Sequence, residues 1–208
     1  MIPIVFSYHL PLYREIEIVD RLFKHGLELF HIRKHNFSLQ QMDEYIGKIS
    51  PEYHKNIILH SHFELLEKYN LKGIHISTII PQQEPESLLT NNYKSTFCYN
   101  LNDIASRDLE FDQIIIGPIF KSISNPNYYD CRYNHEVLRL FFQENNFKNK
   151  IIAIGGIDEV SAKIALSLGF MGIVALGSIW VTYMETINID KTINKFVRIK
   201  ETCLQFCN

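Results

Sequence analysis

The stretch Ile151-Ile-Ala-Ile-Gly-Gly-Ile157 decides the fold, together with a second stretch of the same design, Gly172-Ile-Val-Ala-Leu-Gly-Ser178. Each is an apolar run that ends at glycine, which is typical of a buried parallel strand that opens into a tight turn. Two adjacent turns of this kind present backbone N–H groups that no side chain obstructs, and such groups bind phosphate. Simple turn chemistry is the alternative explanation of either glycine pair alone. The residues of the predicted phosphate cradle are Gly155, Gly156, Ile157, Gly177 and Ser178.

Short apolar runs alternate with amphipathic stretches along the chain, which predicts strands that alternate with helices. The predicted strands are Ile2–Phe6, Leu29–Arg33, Asn56–His60, Gly73–Ile76, Ser95–Cys98, Gln113–Gly117, Ile151–Ile154 and Gly172–Leu176. The predicted helices are Arg14–His25, Leu39–Lys48, Phe63–Tyr69, Glu84–Thr90, Leu101–Arg107, Asn134–Phe142, Glu159–Leu168 and Thr192–Cys203.

Eight strand–helix units in 208 residues favour a single-domain (β/α)8 barrel over residues 1–208. A doubly wound open sheet is the rival fold, but it usually has a glycine-rich turn after its first strand, and Ser7-Tyr-His-Leu-Pro11 is not one. The irregular stretch Lys121–Tyr133 follows the sixth strand, so a barrel would place it over the active-site mouth as a candidate lid.

The charges are scattered and sum to −2, which gives no long-range attraction to nucleic acid or to anionic lipid. No window has the length and apolar character of a membrane span, and the first residues do not have the pattern of a signal peptide. We therefore expect a cytoplasmic protein with reduced cysteines and small-molecule partners, and no nucleic-acid or membrane partner. Assembly into a homo-oligomer stays open.

Barrel enzymes carry their functional groups where the strands end, and the second predicted strand ends in His31-Ile-Arg33-Lys-His35. Alternation along the strand puts His31, Arg33 and His35 on one face, which we expect to point to the barrel mouth. An arginine there favours an anionic ligand, and pairing with a neighbouring carboxylate is the alternative.

Further histidines follow the next strands, in His60-Ser-His62 and at His75. A His-x-His pair can bind zinc when other ligands join it, but no second His/Asp cluster ends the later strands. Neutral imidazoles that hydrogen-bond a substrate or the core are therefore the favoured interpretation.

The fifth and sixth strands are followed by smaller polar groups. Asn100 is a candidate both for holding a substrate and for capping the helix that begins at Leu101. Lys121, Ser122 and Ser124 follow the sixth strand and are candidate anion donors, although Lys121 has the alternative of pointing into water.

Four segments in this order and spacing resemble the thiamin-phosphate synthase family and its sister group, the thiazole tautomerases. They are Gly73-Ile-His-Ile, Ile115-Ile-Gly-Pro-Ile-Phe120, Ile152-Ala-Ile-Gly-Gly-Ile157 and Gly169-Phe-Met-Gly-Ile-Val-Ala. The resemblance runs from about Phe30 to Ile179. It implies a barrel enzyme of thiamin biosynthesis that joins a pyrimidine pyrophosphate to a thiazole phosphate and releases pyrophosphate, with Mg²⁺ steadying the leaving group. The sister enzymes move a double bond in a thiazole carboxylate phosphate by proton transfer.

The resemblance carries over unevenly. The family's Gln-x-Arg-x-Lys corresponds to His31-Ile-Arg33-Lys-His35, and its Asn-Asp pair corresponds to His60-Ser61. A second metal-binding Asp falls at about Ile80, so both carboxylates expected to hold Mg²⁺ are absent. We therefore assign no metal ligand and no certain cofactor. The histidine that the tautomerases carry after the sixth strand is Pro118 here.

The leading prediction is synthase-type transfer, with the thiazole phosphate in the glycine cradle. The predicted catalytic group comprises Arg33, His35, His31, His60 and His75, and direct contact by Arg33, His35 and Lys121 is expected to hold pyrophosphate without the metal. One alternative is a tautomerase-like proton transfer by one of these histidines. Another is a non-catalytic barrel that binds a thiazole phosphate, and a metal hydrolase that uses His60 and His62 is the remote one.

Overall fold

The computed structural model describes residues 3–77, 92–108, 110–124, 133–147 and 150–206. Eight parallel strands form a closed barrel in chain order, and the last strand pairs with the first. The predicted (β/α)8 barrel is therefore confirmed and the open sheet is excluded. The strands are β1 (Pro3–Phe6), β2 (Phe30–Ile32), β3 (Ile57–Leu59), β4 (Gly73–Ile76), β5 (Tyr93–Cys98), β6 (Gln113–Ile116), β7 (Lys150–Ile154) and β8 (Gly172–Ala175).

Helices cover the outside of the barrel. The described residues contain α1 (Glu15–Lys24), α2 (Leu39–Gly47), α3 (Leu65–Tyr69), α4 (Ile104–Arg107), α5 (His135–Glu144), α6 (Glu159–Leu168), α7 (Gly177–Thr186) and α8 (Ile189–Leu204), with short 3₁₀ turns at Pro51–Asn56 and Leu101–Asp103. The predicted helix Glu84–Thr90 and the central part of the predicted lid, 125–132, lie outside the described residues.

The main departure from prediction is α7, which the sequence pattern did not separate from the turn at Gly177-Ser178. These two residues form the first positions of the helix, so the turn after β8 is itself a helix N-terminus. Several predicted strands are also longer than the observed ones. Arg33, His60 and Leu176 each follow the strand that was predicted to include them, so three of the loops at the barrel mouth begin one residue earlier than predicted.

Local capping fixes two helices where the sequence predicts. Ser38 accepts a hydrogen bond from the backbone N–H of Gln41, whose side chain accepts one from the backbone N–H of Ser38. Asp158 and Ser161 form the same reciprocal arrangement at the start of α6. Such caps satisfy N–H groups that have no partner within the helix, and they set the direction in which the chain leaves the loop.

Alternation along the strands divides the apolar side chains between two cores. The larger core lies between the strands and the helices. The smaller core fills the barrel and contains Ile4, Phe6, Leu29, Ile58, Ile115, Ile152 and Val174. Across the described part of the chain, no helix is both long enough and apolar enough to cross a bilayer.

Candidate functional site

One cavity at the carboxyl ends of the strands joins the predicted glycine cradle to the loop after β6. Its volume is about 290 Å³. Its wall is formed by Arg33, Phe97, Pro118, Ser122, Ile123, Ser124, Ile154, Gly155, Gly156, Ile157, Val174, Leu176 and Gly177. The structure therefore brings together most of the predicted phosphate-binding residues around a space of the size of a small ligand.

The turn after β7 needs glycine for two reasons. Gly155 and Gly156 have φ of +100° and +64°, which an L side chain rarely adopts. In addition, a Cβ atom on Gly156 would lie 2.2 Å from the carbonyl oxygen of Lys121, because the loop after β6 passes directly against this turn. The glycine pair thus lets the turn after β7 and the loop after β6 meet at the cavity wall.

The turn after β8 contributes the N-terminus of α7. No side chain caps this helix at Leu176, and the Ile179 N–H donates to the Leu176 carbonyl oxygen at 3.2 Å, so the N–H groups of Gly177 and Ser178 are the candidate anion donors. A Cβ atom on Gly177 would lie 3.0 Å from Ile123 Cβ and 3.1 Å from the backbone nitrogen of Ser124. The Ser178 hydroxyl is buried and has no hydrogen-bond partner among the described residues. This end of the cradle combines a helix dipole with an unsatisfied hydroxyl.

Arg33 supplies the positive charge of the cavity. Its backbone N–H donates to Ser7 Oγ at 2.8 Å, and its Nε–H donates to His35 Nε2 at 3.4 Å. Desolvation lowers the pKa of Arg33 and that of His35, and the Arg33 charge lowers the pKa of His35 further. Arg33 also borders an adjacent cavity of about 280 Å³, with Ser7, Tyr8, His9, Ser124 and Leu176.

Three of the predicted histidines converge inside the barrel below this mouth. His31, His60 and His75 are all buried, and one ligand nitrogen from each lies within 4.8 Å of the others. His31 Nδ1 and His60 Nε2 are 3.0 Å apart, and the His60 and His75 rings stack with centroids at 4.2 Å. Phe6 stacks on His31 from the other side, with centroids at 4.5 Å. We call His31, His60 and His75 the histidine cluster.

The histidine cluster is neutral near pH 7. Burial lowers the pKa of His75 to about 3, and burial together with the neighbouring imidazoles lowers the pKa of His31 and His60 well below the usual value. Ser95 Oγ donates to the carbonyl oxygen of Ile74 at 3.4 Å and accepts from His75 Nδ1 at 2.9 Å. This network assigns the proton of His75 to Nδ1 and leaves Nε2 with a lone pair.

Other predicted residues lie away from the cavity wall. Asn100 is exposed and donates to Asp103 Oδ2 at 3.5 Å, and it makes no side-chain hydrogen bond that caps the following turn. The Lys121 side chain is exposed, and Lys121 approaches the cradle through its carbonyl oxygen. His62 hydrogen-bonds the carbonyl oxygen of Phe37 at 2.7 Å, so His60 and His62 do not act as a pair. Ser61 Oγ is buried without a hydrogen-bond partner in the described ranges.

Several residues of the site were not predicted from sequence. Phe97, Ser95 and Phe6 point inward from their strands, and Ser7 holds the backbone of Arg33. For Phe97, Ser95 and Phe6, strand alternation was the available signal, since each has the inward parity of its strand; Ser7 follows β1 and had no such signal. Their types gave no chemical signal, because serine and phenylalanine are common in any barrel.

Comparison with known proteins identifies a family and solved structures that resemble this chain. The sequence model of the family described as "Thiamine monophosphate synthase" matches residues 3–179. The chain is 27% identical to a thiamine phosphate pyrophosphorylase from Bacteroides thetaiotaomicron, over 97% of each chain, with a TM-score of 0.85. It shares its fold with a thiamine phosphate pyrophosphorylase from Pyrococcus furiosus at 16% identity and a TM-score of 0.76, over 99% of this chain and 96% of that one.

These matches name the synthase and give no support to the thiazole-tautomerase alternative. The family match spans all eight strands, from β1 to the turn after β8, and therefore includes the whole cradle. Because the family model matches residues 3–179, which is most of the chain, this chain belongs to the thiamine monophosphate synthase family.

Proposed function

We propose that this protein transfers a pyrimidine from its pyrophosphate to a thiazole phosphate, giving thiamin phosphate and pyrophosphate. The observation that carries the proposal is the single cavity in which the backbone turns after β7 and β8 face Ser122, Ser124 and Arg33. Two anionic groups must be held close together in such a reaction, and this cavity offers both neutral N–H donors and a fixed cation.

The cradle is the proposed site of the thiazole phosphate. The backbone N–H groups of Gly156 and Gly177, the N-terminus of α7 and the Ser178 hydroxyl are suited to phosphate oxygens. Arg33 and the hydroxyls of Ser122 and Ser124 are the proposed contacts of the pyrophosphate. Holding both ligands fixes the thiazole nitrogen near the carbon that it attacks.

In the proposed reaction, the bond between the pyrimidine methylene carbon and the pyrophosphate oxygen breaks, and the oxygen keeps the electron pair. The thiazole nitrogen then forms the new bond to that carbon. The negative charge that develops on the leaving oxygen is stabilised by Arg33, which is already oriented by Ser7 and His35.

Magnesium does not fit the donor set that surrounds this cavity. Mg²⁺ prefers carboxylate oxygens, and among the residues that the structure describes, no carboxylate forms part of the walls of the two adjoining cavities. Ser61 offers a single buried hydroxyl, and the other expected position, Ile80, lies outside the described residues. We therefore propose that Arg33 and the hydroxyl groups hold pyrophosphate directly.

The test is to incubate the purified chain with the pyrimidine pyrophosphate and the thiazole phosphate, once with Mg²⁺ and once with a chelator. We expect thiamin phosphate and pyrophosphate in equal amounts, with a rate that depends little on the metal. A rate that requires Mg²⁺ would contradict direct binding by Arg33 while leaving the synthase assignment in place.

If folded protein forms no thiamin phosphate under either condition, the proposed activity is wrong. Calorimetric titration with the thiazole phosphate then tests the remaining alternative, in which the protein binds this ligand without catalysis. Tight binding without turnover would identify a non-catalytic barrel that keeps the cradle, because that function needs the turns after β7 and β8 and nothing from Arg33.

A further inference from the structure

We propose that the histidine cluster, His31, His60 and His75, is a binding site for a divalent transition-metal ion of the type that prefers imidazole, such as Zn²⁺ or Co²⁺. This site is separate from the glycine cradle, since none of the three histidines borders the cavity that contains it. The proposal does not depend on the proposed synthase activity, and it is tested by metal binding alone.

The geometry of the cluster is close to that of a metal site. Zinc binds histidine nitrogen at about 2.0–2.1 Å in a tetrahedral arrangement, which puts ligand nitrogens about 3.3 Å apart. His31 Nδ1 and His60 Nε2 are already 3.0 Å apart, and the widest spacing among the three offered nitrogens is within 4.8 Å. The His60 and His75 rings stack at an interplanar angle of 19°, so at least one of them must rotate to bring all three nitrogens around one ion.

The cluster also has more imidazole nitrogens than partners for them. His31 is completely buried, and its Nε2 atom has no hydrogen-bond partner within the residues described. A buried polar atom without a partner is costly, and a site that serves only as core would replace it by an apolar group. The unpartnered atom shows that the hydrogen bonds of the cluster do not satisfy all its nitrogens; the nitrogen that an ion would share with His60 is the other one of the ring, Nδ1.

The protonation states suit a metal. Metal ions bind the neutral form of histidine, and the burial of all three imidazoles favours that form. Ser95 accepts the hydrogen bond from His75 Nδ1 and so directs the lone pair of Nε2 away from the strand. A hydrogen bond to the non-ligating nitrogen is the usual way in which proteins orient a metal-binding histidine.

The ligand set predicts the class of ion. Three imidazoles without a carboxylate favour zinc, cobalt, nickel or copper over Mg²⁺ or Ca²⁺, which prefer oxygen ligands. Because the three ligands are neutral, they do not reduce the charge of the ion. A tetrahedral ion bound by three ligands also has one open coordination position. Arg33 lies near enough to affect His60 and His75, and its charge opposes the ion, so we expect weaker binding than at a site with a carboxylate.

The test is to titrate the metal-free full chain with Co²⁺ and to record the visible absorption and the stoichiometry by equilibrium dialysis. We expect one equivalent to bind and to give the intense absorption of tetrahedral cobalt with nitrogen ligands. Zn²⁺ should displace the cobalt and abolish the absorption.

Two variants test the assignment of ligands without enlarging any side chain. His31→Gln and His60→Asn introduce the residues that the family carries at these positions, so the barrel should tolerate them. Each should weaken cobalt binding by roughly 100-fold or more, since one of three ligands is lost. The matched control is His62→Gln, which removes a nearby histidine that is bound to the carbonyl oxygen of Phe37 and should keep the wild-type spectrum.

Circular dichroism shows whether each variant is folded. Folded wild-type protein that binds no cobalt at the histidine cluster would overturn the proposal. Binding that survives in both His31→Gln and His60→Asn would do the same, because the ion would then lie elsewhere.

Discussion

At the scale of single residues, the two ends of the cradle respond differently to an added methyl group. Gly156 has φ of +64°, and its Cβ would lie 2.2 Å from a backbone oxygen, so neither the conformation nor the space admits a side chain. Gly177 has no positive φ, and its Cβ would be 3.0 Å from the side chain of Ile123. Alanine at the two positions therefore compares a turn that has both backbone strain and severe crowding with a turn that has mild crowding alone.

We expect Gly156→Ala to lower the free energy of unfolding by about 1–3 kcal/mol, because the left-handed conformation is costly for alanine and the loop after β6 must move. Affinity for the thiazole phosphate should fall at least roughly tenfold as the turn opens. Urea unfolding and calorimetric titration measure the two effects. Wild-type affinity in this variant would show that the turn after β7 does not bind the phosphate.

For Gly177→Ala we expect stability within about 1 kcal/mol of the wild type, since Ile123 can move by a few tenths of an ångström. Affinity for the thiazole phosphate should nevertheless fall, because the displaced segment at Ser124 borders the cavity. The same two measurements apply. A large loss of stability with unchanged affinity would contradict this account of the turn.

Arg33→Gln removes the positive charge from the cavity and replaces the guanidinium by a shorter, neutral polar group. If Arg33 stabilises the leaving pyrophosphate, the rate of thiamin-phosphate formation should fall by about 10²–10³, with little change in thiazole-phosphate affinity. Steady-state kinetics with either substrate varied measures this. The control is Arg139→Gln, which removes an exposed arginine of α5 and should leave kcat unchanged. Equal losses in both variants would argue against a specific role of Arg33.

At the scale of elements, a buried ion pair joins the loop after β2 to the start of α1. Lys34 Nζ lies 2.6 Å from Glu15 Oε2 and donates to the carbonyl oxygen of Leu10 at 2.7 Å. Glu15 in turn accepts from the backbone N–H of Leu12 at 3.3 Å. The pair therefore positions two loops at the barrel mouth, and Lys34 points away from the face that carries Arg33.

We expect Lys34→Met to lower the free energy of unfolding by about 3–5 kcal/mol, because it leaves the Glu15 carboxyl buried without its cation. The double variant Lys34→Met with Glu15→Leu should recover most of this loss, since no charge then remains buried. Urea unfolding of the single and double variants gives the comparison. The exposed pair Lys68–Asp43 is the control, and Lys68→Met should change stability little.

At the scale of the whole molecule, the histidine cluster makes stability depend on pH. The folded state lowers the pKa of all three imidazoles below the usual 6.5, so the unfolded chain takes up protons that the folded chain does not. Above the pKa of an unfolded histidine, neither the folded nor the unfolded chain protonates these rings, so their pKa values do not affect stability. As the pH falls below that value, the unfolded chain binds protons and the free energy of unfolding decreases. Three such groups give a slope of up to roughly 4 kcal/mol per pH unit.

This prediction is checked by urea unfolding between pH 4.5 and 7 in the presence of a chelator. His31→Gln and His60→Asn should each reduce the steepness by about one third, because each removes one of three protonation sites. The His62→Gln control should keep the wild-type steepness. An unchanged slope in all variants would show that carboxyl groups, and not the cluster, cause the acid sensitivity.

Much of the fold was predictable, because it depends on local patterns that repeat along the chain. Apolar runs ending at glycine, such as 151–157 and 172–178, indicated buried parallel strands, and Ser38 and Asp158 marked helix starts by their capping chemistry. The extra helix α7 was not predicted, since Gly177 and Ser178 suit a turn and a helix N-terminus equally well. Strand ends were predicted too long at Arg33 and His60, where pairing with neighbours stops.

The sequence by itself determined the eight-unit barrel and the place of the glycine turns after β7 and β8, because both follow from the period of the apolar residues and from the spacing of the glycines. The tertiary structure alone decided which polar residues meet. His31, His60 and His75 are far apart in the chain and converge only because successive strands pair in register, whereas His62, two residues from His60, turns away to bond Phe37. Distances between side chains on different strands depend on barrel closure and register, and no local pattern contains that information.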